Sequence, residues 1–266
     1  MIRDITLGQY YPENSPIHKL DPRVKIIAAV LYIIELFIVK DFSGFLVCAV
    51  ALGIVVAISR VPLRFIMRGL KPIILILLFT FVLNIFMVDG RILFTIGPLK
   101  VTDAGVYTAA FMAIRLILLI IGASLLTLTT TPISLTDGIE RLLSPLALIG
   151  LPNHEIAMMM SIALRFIPTL LEETDKIMKA QQARGADFES GNIIARARSL
   201  IPILVPLFVS AFRIASDLAM AMEARCYRGG KGRTRMNGMR MKRSDYISIV
   251  LMILFLAALI AMRIWL

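Results

Sequence analysis

Long runs without a charge dominate this chain, and they restrict its fold more than any other feature. Phe42–Ser59 is 18 residues long and Pro72–Val88 is 17, and neither contains a charged side chain. Ala104–Thr127 covers 24 residues broken only by Arg115, and Tyr246–Ile264 has its one charge, Arg263, at the far end. At about 1.5 Å rise per residue, helices of ~17–25 residues match the hydrocarbon core of a bilayer. Val24–Val39 is a fifth and weaker run, because Glu35 lies inside it. The expectation is an all-α polytopic membrane protein with about five transmembrane helices. The start, Met1-Ile-Arg-Asp-Ile-Thr, has no apolar core and does not read as a signal peptide.

Basic residues alternate between the loops in a lopsided way. Arg3, Lys19, Arg23 and Lys25, then Arg60, Arg64, Arg68 and Lys71, then everything from Arg141 to Arg243 fall on one side. Lys40, Arg91, Lys100 and Arg263 fall on the other. The positive-inside rule places the N-terminus and the long polar segment in the cytoplasm, with the C-terminus outside. This bias accounts for most of the net charge of +11. Nucleic acid is not expected as a partner, since no basic surface interleaved with aromatics is present. The chain divides into transmembrane helices over 1–130, a cytoplasmic region over 131–243 and a last transmembrane helix over 244–266.

Several local signals set the elements. Asp21 is a good N-cap and Pro22 a good first helical residue. Val61–Lys71 reads as a short amphipathic turn at the interface, with Arg64 and Arg68 one helical turn apart. Gly97-Pro98 suggests a hairpin between Gly90 and Thr102. In the polar segment, Pro132–Leu148 is amphipathic. Pro152–Ile167 is apolar and is expected to kink or restart at Pro168, which has no amide donor. Thr169–Arg184 follows, with Leu170, Thr174, Ile177 and Gln181 on one face and Gly185 as its stop.

Two stretches of that segment echo each other: Ala180-Gln-Gln-Ala-Arg-Gly185 and Ala221-Met-Glu-Ala-Arg-Cys226. Each reads Ala-x-[Gln/Glu]-Ala-Arg and closes a helical run. Arginine carries a permanent charge and a five-donor fork suited to carboxylates and carbonyls in a partner's groove. A cation at a helix C-terminus also gains ~0.3–1 kcal/mol from the macrodipole, which makes one such arginine ordinary. Two matched copies on one side of a membrane point to two similar partners. Ala211, Ala215 and Ala219 form a small-residue stripe on the second helix, a surface on which another helix can cross closely. Met158, Met159 and Met160 give the first helix an adaptable contact face, although such a run also serves as packing or lipid-facing filler.

Catalytic chemistry is not expected. His18 and His154 are isolated from any Cys/His/Asp cluster, and Cys48 and Cys226 have no metal-ligand spacing, so the chain should hold no metal and no catalytic residue. Gly229-Gly-Lys-Gly has neither the spacing nor the Lys-[Ser/Thr] ending of a P-loop. A phosphatidyltransferase site also fails, because Asp137-Gly138 lies more than forty residues from Ala183-Arg184 and the flanking aspartates are missing. Glu35 and Arg115 sit within spans, where ionisable groups pair, face water or make bundle contacts.

His18-Lys-Leu-Asp-Pro-Arg-Val-Lys25, Arg165-Phe-Ile-Pro168, Gln182-Ala-Arg-Gly-Ala-Asp-Phe188 and Glu223-Ala-Arg-Cys-Tyr-Arg-Gly-Gly230 occur in that order. Together they resemble the transmembrane T component of energy-coupling factor transporters, importers of vitamins and transition metals, over about residues 15–235. The resemblance implies a non-catalytic scaffold in a prokaryotic cell membrane. It would join a substrate-binding membrane S component to two cytoplasmic ABC ATPases. It also implies that two crossed coupling helices dock in the ATPases through Ala183-Arg184-Gly185 and Ala224-Arg225-Cys226. ATP and Mg would then be bound by the partners, with no cofactor in this chain. Met158–Met160 with Ala211, Ala215 and Ala219 become the candidate S-component contact. Cys226 stands where glycine is usual, so the arginine role is expected to carry over while a helix-end geometry dependent on glycine is not assured. Two other classes remain: a membrane-anchored regulator whose basic Arg225–Arg243 stretch attracts anionic lipid, and a self-sufficient permease.

Overall fold

A computed structural model describes residues 10–96, 99–145, 152–186, 188, 192, 194, 198–229 and 241–265. The helices are α1 (Pro22–Ile38), α2 (Phe42–Ser59), α3 (Leu63–Leu70), α4 (Ile74–Met87), α5 (Asp103–Thr129), α6 (Pro132–Leu143), α7 (Asn153–Ala183), α8 (Ile201–Ala224) and α9 (Arg243–Trp265). A single 3₁₀ turn, Lys71–Ile73, joins α3 to α4. The expected hairpin is present as β1 (Ile92–Ile96) and β2 (Leu99–Thr102), paired antiparallel. Its turn at Gly97-Pro98 lies outside the described residues.

Two compact units divide the chain. The first comprises Gly8–Leu142 and Gly238–Leu266. In it α5 is central, packing on α1, α2, α3 and α4, while α9 packs on α1. The core holds Leu36, Val39, Phe45, Cys48, Leu52, Leu118 and Leu259. Close approaches rest on glycine: a Cβ at Gly105 would stand 2.6 Å from the Ile85 carbonyl oxygen, and one at Gly122 would stand 2.5 Å from the Tyr32 ring. The second unit contains α7 and α8, which pack together.

Among the described residues six helical segments are long and apolar enough to cross a membrane. Four of them, Phe42–Ser59, Leu63–Met87, Asp103–Thr129 and Arg243–Trp265, coincide with runs read from the sequence. The other two are α7 and α8, which qualify by length and composition alone and fall in the 131–243 stretch expected to be cytoplasmic; a search for charge-free runs breaks them at Arg165 and Arg213. At 17 residues, α1 falls outside the set. Large apolar side chains line the outsides of these helices, as with Leu75 and Phe79 on α4, which suits a chain solvated by lipid.

Capping explains several boundaries. The Asp21 carboxylate accepts from the Arg23 amide at 3.0 Å and Pro22 opens α1, as the sequence indicates. The Thr102 hydroxyl caps α5 through the Gly105 amide at 3.0 Å. Pro168 does not end its helix: it lies inside the 31-residue α7, which runs on to Ala183. A proline removes one amide donor and crowds one carbonyl a turn earlier, and the remaining hydrogen bonds of a long helix carry it past that point.

Candidate functional site

Both Ala-Arg stretches end helices, and they end them in the same way. At α7 the Arg184 amide donates to the Gln181 carbonyl (3.1 Å), Gly185 to Gln182 (2.9 Å) and Ala186 to Gln181 (3.0 Å). At α8 the Arg225 amide donates to Met222 (3.1 Å), Cys226 to Glu223 (2.8 Å) and Tyr227 to Met222 (3.0 Å). The paired bonds six-to-one and five-to-two define a Schellman motif. Arg184 has φ −88° and ψ 5°, and Arg225 has φ −90° and ψ 11°. The next residue is left-handed in each case, with φ +86° at Gly185 and +56° at Cys226. The glycine-type geometry is therefore kept at the second end despite the cysteine.

Ala183, Arg184 and Gly185 are exposed, as are Ala224, Arg225 and Cys226. Neither arginine forms an ion pair among the described residues. The two ends are also far apart. The Gln181 side-chain amide donates to the Pro202 carbonyl at 3.4 Å, tying the end of α7 to the start of α8. Arg225 lies at the opposite end of α8, roughly 35 Å along the axis from Pro202. Allowing for the short reach from Pro202 back to Arg184, the arginines stand at least about 20 Å apart.

The remaining candidates are exposed to different degrees. Met159 (58 %) and Met160 (41 %) are exposed on α7, and Met158 is half-buried. On α8 the buried residues are Ile203 and Ser210, not the alanine stripe: Ala211 is half-buried, and Ala215 and Ala219 are exposed. Phe208 (62 %) and Phe212 (73 %) extend this outward face. Leu170, Thr174, Ile177 and Gln181 are all half-buried, in keeping with one face of α7. Arg165 and Pro168 are exposed within α7. Arg233 and Arg235, on which the lipid-anchor reading leans, lie outside the described residues.

The His18–Lys25 lead-in is a structural hub. The Lys25 ammonium donates to the carbonyls of His18 (3.0 Å) and Thr129 (2.8 Å), placing a cation at the C-terminal end of α5. His18 Nε2 faces the Tyr11 carbonyl at 3.1 Å; a carbonyl only accepts, so Nε2 carries the proton and Nδ1 accepts from the Ser15 hydroxyl at 2.7 Å. Burial lowers the His18 pKa below its usual 6.5. Asp245 was not singled out by the sequence, yet it is buried and accepts from the Asp21 amide (2.9 Å) and the Lys242 amide (2.6 Å). One carboxylate thus binds the N-termini of α1 and α9. The available signal was an acidic residue three positions into a helix, where it can reach back to the cap amide.

Glu35 and Arg115 form no ion pair with each other among the described residues. Arg115 Nη2 donates to the Val39 carbonyl (3.1 Å), and its guanidinium carbon lies 4.9–5.8 Å from the ring centres of Phe37, Phe45 and Phe111. Glu35 is buried, and its Oε1 has no hydrogen-bond partner among the described residues. No group of three or more His, Cys, Asp or Glu side chains suited to a metal occurs among the described residues.

Comparison with known proteins places the chain in a family. The family model described as cobalt transport protein matches residues 13–236. The chain is 59 % identical over 249 residues to the energy-coupling factor transporter transmembrane protein EcfT of Thermosediminibacter oceani, covering 94 % of each chain. It is 58 % identical over 267 residues to EcfT of Clostridium kluyveri, covering 100 % of this chain and 99 % of that one. EcfT of Bacillus subtilis is 49 % identical over 261 residues, with 98 % of each chain covered.

Proposed function

The chain belongs to the cobalt transport protein family, as a relative of the EcfT membrane components of energy-coupling factor transporters, and on that premise we propose that it is the coupling subunit of such an importer. It joins two cytoplasmic ABC ATPases, which bind ATP and Mg, to a membrane S component that holds the vitamin or transition-metal substrate. It performs no catalysis and carries no cofactor of its own. The excess of Lys and Arg in alternate loops supports a cell-membrane orientation with the N-terminus in the cytoplasm.

The observation that carries this reading is the pair of exposed, arginine-bearing helix ends with one backbone geometry. α7 and α8 lie along the cytoplasmic face rather than crossing the bilayer, so each end enters one ATPase, Ala183-Arg184-Gly185 into the first and Ala224-Arg225-Cys226 into the second. Closure of the ATPases on ATP moves both ends, and the packed pair α7 and α8 passes the motion on. The apolar outward surface, with Met158–Met160, Ala211, Ala215, Ala219, Phe208 and Phe212, meets the S component.

Replacing both arginines tests this. The Arg184→Glu, Arg225→Glu variant should lose ATPase co-purification in mild detergent while its helical content and thermal transition stay unchanged. Single changes should weaken recovery less, because one remaining contact keeps the partners at high effective concentration. Full recovery of both ATPases by the double variant would overturn the assignment. Liposome binding without any ATPase would favour the lipid-anchor reading, and uptake by the chain alone would favour a permease.

A further inference from the structure

The two helix ends share a backbone but not a charge pattern. Two residues before the arginine, the first end carries Gln182 and the second carries Glu223, and both side chains are exposed. Residues two apart on a helix project to nearly opposite sides, so Glu223 and Arg225 cannot close on each other. No ion pair of Glu223 exists among the described residues. Its position is also electrostatically adverse: a carboxylate in the last turn meets the negative end of the helix dipole. The isolated helix gains nothing from Glu223, whereas the neutral Gln182 carries no such penalty. A second difference follows the arginine, where Gly185 leaves the backbone bare and Cys226 projects a thiol from the same left-handed position.

We infer that Glu223 is a specificity residue, which keys the α8 end to a groove bearing a cationic side chain opposite it, while the α7 end, with the neutral Gln182, docks in a groove with a neutral wall at the equivalent place. The inference rests on the coupling role proposed above. Arg184 and Arg225 ask the same of both grooves, an acceptor for a guanidinium. The second groove must add a Lys or Arg for Glu223 and a recess for the Cys226 sulfur. The first can close against the bare Gly185 backbone. Exchanging the ends would bury Glu223 without its cation, a mismatch that selects by exclusion as well as by attraction. The subunit therefore sits on its ATPase pair in one orientation.

The test uses the intact complex and a benzophenone maleimide probe. Native Cys226 reports the second end, since Cys48 is fully buried. The G185C/C226G variant moves the probe to the first end in a backbone position that tolerates cysteine at the second. Photolabelled ATPase peptides are identified by mass spectrometry. The two probes should label different peptides, with a Lys or Arg in or beside the one reached from Cys226. E223Q should lower labelling from the second end at least threefold, and Q182E should do the same at the first, each leaving the opposite end unchanged. Labelling of one shared peptide in equal yield, or yields indifferent to both substitutions, would overturn the inference and leave the coupling role standing. Failure of both probes to label any ATPase in an assembled complex would overturn both.

Discussion

Cys226 occupies at the end of α8 the left-handed backbone position that Gly185 occupies at the end of α7, with φ +56° against +86° and the same three amide bonds behind it. A side chain in that region costs roughly 1–2 kcal/mol, and only part of this is recovered through the smaller unfolded-state entropy of a non-glycine residue. The second end is therefore held in shape against its own preference. Because the bonds are the same, the strain is local to the Cβ.

Cys226→Gly should relieve that strain and stabilise the end of α8 by about 1 kcal/mol. Amide exchange at Tyr227, whose N–H donates to Met222, should slow about fivefold. Gly185→Ala should do the reverse at Ala186. Unchanged exchange in both variants would show that the left-handed positions carry no strain.

The Asp245 carboxylate is the second place where a single side chain carries much of the local order. Its two oxygens accept from the Asp21 and Lys242 amides, and the residue is 1 % exposed. Asp245→Ala should cost roughly 3 kcal/mol, two hydrogen bonds to a charged acceptor in a buried setting. Asp245→Asn should cost less, since one carbonyl oxygen still accepts. Thermal unfolding in detergent should rank wild type above Asn above Ala, and an alanine variant as stable as wild type would remove the clamp from the account.

Much of this architecture was legible in the residues because it depends on neighbours in sequence. Asp21 and Pro22 open α1, and Gly185 closes α7, through bonds spanning a few positions. The arginine ends were readable for the same reason, since a Schellman motif is written in six consecutive residues. The misses depend on partners distant in the chain or on competing bonds. Asp245 reaches Asp21 across 224 positions, and although a bundle contact was open to Arg115, its acceptor, the Val39 carbonyl 76 positions away, was not legible. α7 passes Pro168 because its other hydrogen bonds outweigh one lost donor, a balance that the proline alone does not reveal.

His18 gives a pH prediction with a definite sign. Burial holds its folded pKa below the unfolded value of 6.5, so the folded chain binds its proton less readily. Its contribution is complete above pH 6.5 and is lost as pH falls through the folded pKa, because the unfolded chain takes the proton first. Thermal stability should decline more between pH 7 and pH 5 in wild type than in His18→Gln, other titrations being common to both. Parallel declines would exclude His18 as the source.

Arg115 tests what an intramembrane charge is for. Its guanidinium lies near three phenyl rings and bonds the carbonyl of Val39, the residue that follows α1. A hydrogen bond from a charged donor is worth about 1.5–3 kcal/mol, and a cation–π contact adds about 0.5–2. Arg115→Gln forfeits the charge and the stacking, and should lower stability by roughly 2–5 kcal/mol on those figures. Arg115→Lys keeps the charge but loses the planar fork that fits between rings, so it should fall between the two. Thermal unfolding in detergent and transport by the assembled complex separate two roles. If packing is the role, transport should fall only as far as the amount of folded protein falls. A glutamine variant that unfolds like wild type yet fails to transport would move Arg115 from the scaffold to the transport cycle.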